Sequence, residues 1–227
     1  MRTDQRNERY MRQQDIVPAD RLARCRATII GVGAIGRQVA LQLTAMGMPW
    51  LQLVDFDTVD ASNLASQGYL EADLDQPKIE ATALLCRQIN STVELHLARH
   101  PFRRSMDVGH IVFCAVDQIQ TRRLIWEALK DRVDFLTDGR MNAEVLRVVT
   151  ACDPPSREYF PQTLFSAAEA FVGPCTAKTT IYCANIAAGL MIGQFTKYLR
   201  DIPAEPDLQL NLLTSEWTVA LSEANTG

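Results

Sequence analysis

The sequence predicts an α/β fold in which a mostly parallel sheet carries helices on both faces, and three observations carry that expectation. A β-rich run at residues 26–30 ends in closely spaced glycines and opens directly into a helical stretch. Strand-like and helix-like segments then alternate along most of the chain, the pattern of a doubly wound sheet. Residues 111–116 are continuously apolar, as a strand buried on both faces must be.

In chain order, the strand at 26–30 is followed by Ile35, Val39, Leu43 and Met46 at helical spacing over 34–46. Residues 50–54 read as a second strand ending at Asp55. Pro77 stands at a helix start, with Ile79, Ala83, Leu84 and Ile89 behind it. Residues 93–97 alternate like a strand, 111–116 form the buried one, and 118–130 are helical. Residues 135–137 and 145–151 are further strands, the second expected antiparallel at the edge. The segment 153–175 holds Pro154, Pro155, Pro161, Gly173 and Pro174 and predicts a long crossover loop with little regular structure. A helix resumes over 176–200, and after Pro203 and Pro206 the run 208–221 predicts one or two edge strands. The chain thus divides into a basic arm (1–26), a Rossmann-like nucleotide-binding domain (27–200), and C-terminal edge strands with a tail (201–227).

With 23 Lys and Arg against 27 Asp and Glu, the net charge is −4. No overall attraction to nucleic acid or an anionic membrane follows from it. The arm departs from this balance, with Arg2, Arg6, Arg9, Arg12, Arg21, Arg24 and Arg26 against four acidic residues. The six cysteines, at positions 25, 86, 114, 152, 175 and 183, lack a dense disulfide spacing, so reduced thiols in a reducing compartment are expected. No signal-peptide pattern is present, and the apolar helix at 181–195 is broken by Asn185 and two glycines, which makes it a core element. A cytoplasmic location is the expectation.

Gly31-Val32-Gly33-Ala34-Ile35-Gly36 follows a strand and opens a helix, which sets free backbone N–H groups and a positive helix pole where a nucleotide can lie. Asp55 ends the next strand, placed to accept hydrogen bonds from ribose hydroxyls. To this point a nicotinamide-dependent oxidoreductase fits equally well. The stretch that follows, Asp55-Phe56-Asp57-Thr58-Val59-Asp60-Ala61-Ser62-Asn63-Leu64-Ala65-Ser66-Gln67, resembles the signature of the ThiF/MoeB family, relatives of the ubiquitin-activating enzymes. Three more motifs are similar in the same order: Arg9-Tyr10-Met11-Arg12-Gln13, Gln76-Pro77-Lys78 and Asp117 to Arg122.

The resemblance implies an adenylyltransferase that uses ATP and Mg²⁺ to activate the terminal carboxylate of a ubiquitin-like or sulfur-carrier protein or a peptide. Gly31, Gly33, Gly36, Asp55, Asp57 and Gln67 would then surround the nucleotide, Asn63 would donate to phosphate or carboxylate, Lys78 would neutralise phosphate, and Asp117 would hold the metal. It also implies a homodimer in which Arg12 crosses to the other subunit's nucleotide, and a Cys175 that takes the activated acyl group. Two departures stand out. The family's arginine is Ser66 here, with Arg12, Lys78 or Arg122 left to compensate. Its two cysteine pairs are reduced to Cys152, so no zinc is expected. The first departure keeps open a protein that binds nucleotide or carrier without turnover.

Overall fold

In the computed structural model, which describes residues 8–164 and 179–220, eight strands form one sheet in the order β3-β2-β1-β4-β5-β6-β7-β8. Strands β1 (Arg26–Ile30), β2 (Trp50–Val54), β3 (Glu94–Ala98), β4 (Ile111–Cys114) and β5 (Phe135–Asn142) run parallel. Strands β6 (Val145–Ala151), β7 (Asp207–Asn211) and β8 (Glu216–Ala220) extend the sheet antiparallel. The helices are α1 (Ala19–Leu22), α2 (Ala34–Met46), α3 (Ala61–Gln67), α4 (Lys78–Ile89), α5 (Ile119–Leu129), α6 (Pro154–Tyr159) and α7 (Ile181–Leu199). None of these helices is long and apolar enough to cross a membrane.

The two-residue period of a strand explains the layers. Ile29, Leu53, Phe113 and Phe135 point into a core shared with α2, α4 and α7. Their neighbours Ile30, Val54, Val112 and Leu136 point into a second core with Ile125, Trp126 and Phe160. The central strands therefore bury apolar side chains on both faces. Phe113, Phe135 and Phe195 of α7 meet with ring centroids 5.6–6.0 Å apart, which anchors the long helix on the sheet.

Two expectations are corrected. β6 lies inside the sheet, because the β7–β8 hairpin pairs along its outer side. Arg147 of β6 and Tyr159 both reach Asp207 of β7, at 2.6 Å and 2.8 Å, and fix that join. Residues 154–163, expected within the crossover loop, form α6 and a 3-10 turn. Asp153 caps α6 by accepting from the Ser156 N–H at 2.8 Å, with proline in the first turn, where its missing N–H costs nothing. Cys175 lies outside the described residues.

The arm packs on the far ends of α2 and α4. Gln13 Nε2 donates to the Met46 carbonyl at 2.7 Å, Asn90 Nδ2 donates to the Tyr10 hydroxyl at 3.3 Å, and Arg9 donates to the Ile89 carbonyl. Gly47, at φ +98°, ends α2 against the Tyr10 ring.

At the other end of α2, a side chain on Gly36 would overlap the carbonyl oxygen of Gly31. Gly36→Ala is expected to cost about 3 kcal/mol, read as a lowered urea midpoint; a variant as stable as the wild type would show that this turn yields.

Candidate functional site

The sheet order reverses between β2-β1 and β1-β4, and the crevice at the carboxyl ends of these strands is where a doubly wound sheet takes ligands. Gly31 turns out of β1 at φ +88°, and an added Cβ would lie 2.6 Å from the Ala115 carbonyl oxygen. Gly33 occupies the cap position of α2. A Cβ there would meet a single neighbour within 4 Å, Gln67 Oε1 at 3.8 Å, so the backbone faces open space.

The peptide groups of the turn are braced from several sides. Gly31 donates to the Val54 carbonyl at 2.9 Å, and Ala115 donates to the Ile30 carbonyl at 2.8 Å. Asp55 accepts from the Val32 N–H at 2.6 Å and from the Asp57 N–H at 2.9 Å, one bond to each oxygen. Each oxygen keeps a further lone pair for a ribose hydroxyl. Burial pushes the Asp55 carboxyl above its ordinary value, against the pull of these two bonds.

Lys78 opens α4, where a lysine would ordinarily face solvent, and the structure buries it, 6% exposed. The cause is the chain after Asp57, which folds back over the start of α4. Thr58 bridges Pro77, Val59 donates to the Gln76 carbonyl at 2.9 Å, and Lys78 donates its own N–H to the Asp57 carbonyl at 3.0 Å. The ammonium then sits 3.1 Å from Asp57 Oδ2, on an exposed carboxylate.

Asn63 is buried at the start of α3. Its Oδ1 accepts from the Asp60 N–H at 3.2 Å while the Asp60 carboxylate accepts from the Ser62 N–H at 2.7 Å, the reciprocal pattern of a helix start. Asn63 Nδ2 donates to Ser62 Oγ at 3.3 Å. Ser66 turns its hydroxyl back to the Ser62 carbonyl at 3.1 Å and supplies no charge. Gln67 Oε1 is buried without a hydrogen-bond partner.

Asp117 follows β4 in an exposed turn. The cap position of α5 belongs to Gln118, which makes no side-chain cap bond, so Asp117 is not spent on capping. Arg122, one of the three residues left to compensate for Ser66, is turned inward. It is buried against Asp138, which also pairs with Arg140 at 2.8 Å, and it donates to the Val116 and Gly139 carbonyls. Burial pulls its guanidinium down to about 10.

Arg12 is exposed on the arm, whose contacts lie at the end of α2 away from the turn. The described residues therefore bring together Gly31, Gly33, Gly36, Asp55, Asp57, Asn63, Gln67 and Lys78, and leave Arg12 apart. They also add two residues that the motifs do not announce, Tyr69 and Arg37. Tyr69 donates to the Val32 carbonyl at 2.6 Å, and Arg37, fully buried, lies over the Tyr69 ring. A charged residue beside a glycine turn reads as solvent-facing until α4 is seen to cover it.

The ThiF family model matches residues 8–226. Over 143 residues the chain is 33% identical to the "Sulfur carrier protein ThiS adenylyltransferase" of Bacillus subtilis (strain 168), covering 56% of this chain and 42% of that protein. The chain spans less than half the length of the curated relatives it matches. Its fold is similar to that of PaaA, with TM-score 0.76 and 20% identity over 97% of this chain and 84% of that one. It is also similar to Escherichia coli MccB solved with ATP, with TM-score 0.70 and 14% identity over 89% and 65%.

The raised Asp55 carboxyl gives a signed expectation. The folded protein holds this proton more tightly than the unfolded chain, so the stabilisation is complete below the unfolded value of 3.8 and fades as pH rises through the folded value. In urea titrations, the advantage of wild type over Asp55→Asn should shrink as pH rises above 3.8. A difference that grows instead would mean that the two N–H bonds outweigh burial.

Proposed function

The chain belongs to the ThiF family, and on that premise we propose that it is an ATP-dependent adenylyltransferase acting on the C-terminal carboxylate of a ubiquitin-like or sulfur-carrier protein or peptide. The observation that carries the proposal is a buried ammonium, Lys78, held by an exposed carboxylate beside a braced glycine turn. Keeping a lysine charged under cover costs free energy. Recovering it on phosphate gives that burial a purpose.

In the proposed reaction a carboxylate oxygen of the carrier attacks the α-phosphorus of ATP. The bond to the bridging oxygen breaks, pyrophosphate leaves with the electron pair, and an acyl adenylate remains. The glycine turn admits phosphate close to backbone N–H groups at the positive pole of α2. Asp55 takes the ribose, and Gln67 Oε1, which lacks a partner, accepts from a nucleotide donor. Lys78 moves from Asp57 to phosphate as charge develops, and Asn63 orients the incoming carboxylate. Asp117, an exposed carboxylate not used in capping, is the residue that would hold a Mg²⁺ ion. Bound there, the ion would offset phosphate charge. Arg12, far from the turn of its own chain, is assigned to the nucleotide of a second copy, and Cys175 to accepting the acyl group afterwards.

Ser66 and Arg122 favour a second reading, a dimer that binds nucleotide or carrier without turnover. The first residue has no charge, and the second is fully engaged by Asp138 and two carbonyls.

ATP–pyrophosphate exchange with Mg²⁺ and carriers ending in Gly-Gly separates the two. Lys78→Ala and Asp117→Ala are each expected to lower carrier-dependent exchange about 100-fold, while Cys175→Ser, acting after adenylation, leaves it intact. Nucleotide binding with no exchange for any carrier would establish the second reading.

The cross-subunit role of Arg12 has its own check. Arg12→Ala and Lys78→Ala chains, each nearly inactive alone, should regain exchange when mixed and allowed to swap subunits. A mixture no better than its components would return Arg12 to its own chain.

A further inference from the structure

The hydroxyl of Tyr69 stands where the two halves of the candidate site meet. The residue is 4% exposed. Its oxygen lies 2.6 Å from the Val32 carbonyl, 3.3 Å from Thr82 Oγ1 and 3.5 Å from the Lys78 carbonyl. Arg37 places its guanidinium 4.1 Å from the Tyr69 ring centroid. It donates through Nη1 to Thr82 Oγ1 and through Nε to the Gly68 carbonyl, both at 3.2 Å.

Chemistry sets the direction of this chain of bonds. A guanidinium only donates and a carbonyl only accepts. Arg37 therefore donates to Thr82, the Thr82 hydroxyl proton is left for Tyr69, and the single Tyr69 proton goes to Val32. The more distant Lys78 carbonyl receives none. Thr82 stands four residues beyond Lys78 on α4, about one helical turn. The relay thus ties the helix that carries the ammonium to the peptide that closes the glycine turn. Val32 also gives its N–H, in the preceding peptide unit, to Asp55, so the residue is held through both of its peptide groups.

We propose that Tyr69 is a positioning residue of the nucleotide site, whose hydroxyl locks the glycine turn to the lysine helix through Thr82, with Arg37 as the fixed donor behind it. The inference rests on the nucleotide reading for its ligand and on these distances alone for the lock.

Tyr69→Phe removes the hydroxyl and keeps the ring over Arg37; Thr82→Val breaks the relay one link earlier and serves if the first variant fails to fold. The measurements use the full chain without nucleotide: amide hydrogen exchange over Val32 to Ile35, and the rate at which an amine-reactive ester acylates Lys78. Both rates are expected to rise about tenfold in each variant, the size of one lost hydrogen bond. The control is Thr150→Val, which breaks a buried hydroxyl pair with Thr137 at 3.2 Å and should raise neither.

A rise at the turn without a rise at Lys78, or the same pattern in the control, would overturn the lock. Added ATP and Mg²⁺ test the other half. Affinity should fall about tenfold in Tyr69→Phe, and the losses from Tyr69→Phe and Lys78→Ala should combine to less than their sum. Additive losses would mean that Tyr69 does not act through the lysine helix. If wild type binds no ATP while both nucleotide-free rates still rise in Tyr69→Phe, the nucleotide reading fails and the lock stands.

Discussion

The carbonyl oxygen of Gly31 occupies the space that a side chain on Gly36 would need, and this close approach organises the site. It lets α2 begin directly over the end of β1, so that the positive pole of the helix and the free N–H groups of the turn face the same crevice. Gly31 can make the turn because it adopts φ +88° against the backbone of β4. Any bulk at either position would lift the helix from the sheet and separate the turn from Asp55. The remaining parts of the site are devices for holding this contact in place.

Two buried arginines show how such holding is done and what it costs. Arg37 and Arg122 each lie against a strand end or turn, one beneath Tyr69 and the other between β4 and β5. Removing a guanidinium from water is expensive unless its donors are met. Arg37 meets Gly68, Thr82 and, at 3.8 Å, Asp73, yet one Nη2 has no hydrogen bond. Arg122 meets Asp138, Gly139 and Val116. In both cases the charge joins elements, the first linking α2 to α4 and to the segment around Gly68 and Asp73, the second joining α5 to Val116 and β5.

Legibility in the sequence followed how local each feature is. The glycine turn, the strand ending at Asp55 and the helix opened by Lys78 depend on neighbours a few residues away, and their sequence patterns place them well. The fate of a charged side chain depends on what covers it. Lys78, Arg37 and Arg122 are charged residues near helix starts that the structure buries, and the covering segments come from elsewhere: the Thr58–Val59 backbone, Tyr69 with α4, and Asp138 of β5. The β7–β8 hairpin was readable as strands, but its pairing partner was not, since the register with β6 is set by long-range contacts such as Arg147 with Asp207. Asp153-Pro154-Pro155 was read as a breaker, although the same residues form a good helix start.

The charge balance that results bears on assembly. With Ser66 in place of the family's arginine and Arg37 and Arg122 committed to internal partners, Lys78 is the cation whose partner, an exposed Asp57, can be exchanged for phosphate. A single lysine, already paired with Asp57, is a small counterweight to a triphosphate, and Coulomb attraction from charges a Debye length away is largely screened. On the proposed reading, a metal at Asp117 would supply part of the difference. The arm supplies a means for the rest: it carries Arg12 at the end of α2 remote from its own turn, and α2 alone, at 13 residues, separates the two by roughly 20 Å. Arg12 therefore has little electrostatic value within its own chain, and on the proposed reading a second copy's nucleotide would give both the loss at Ser66 and the basic arm a physical reason.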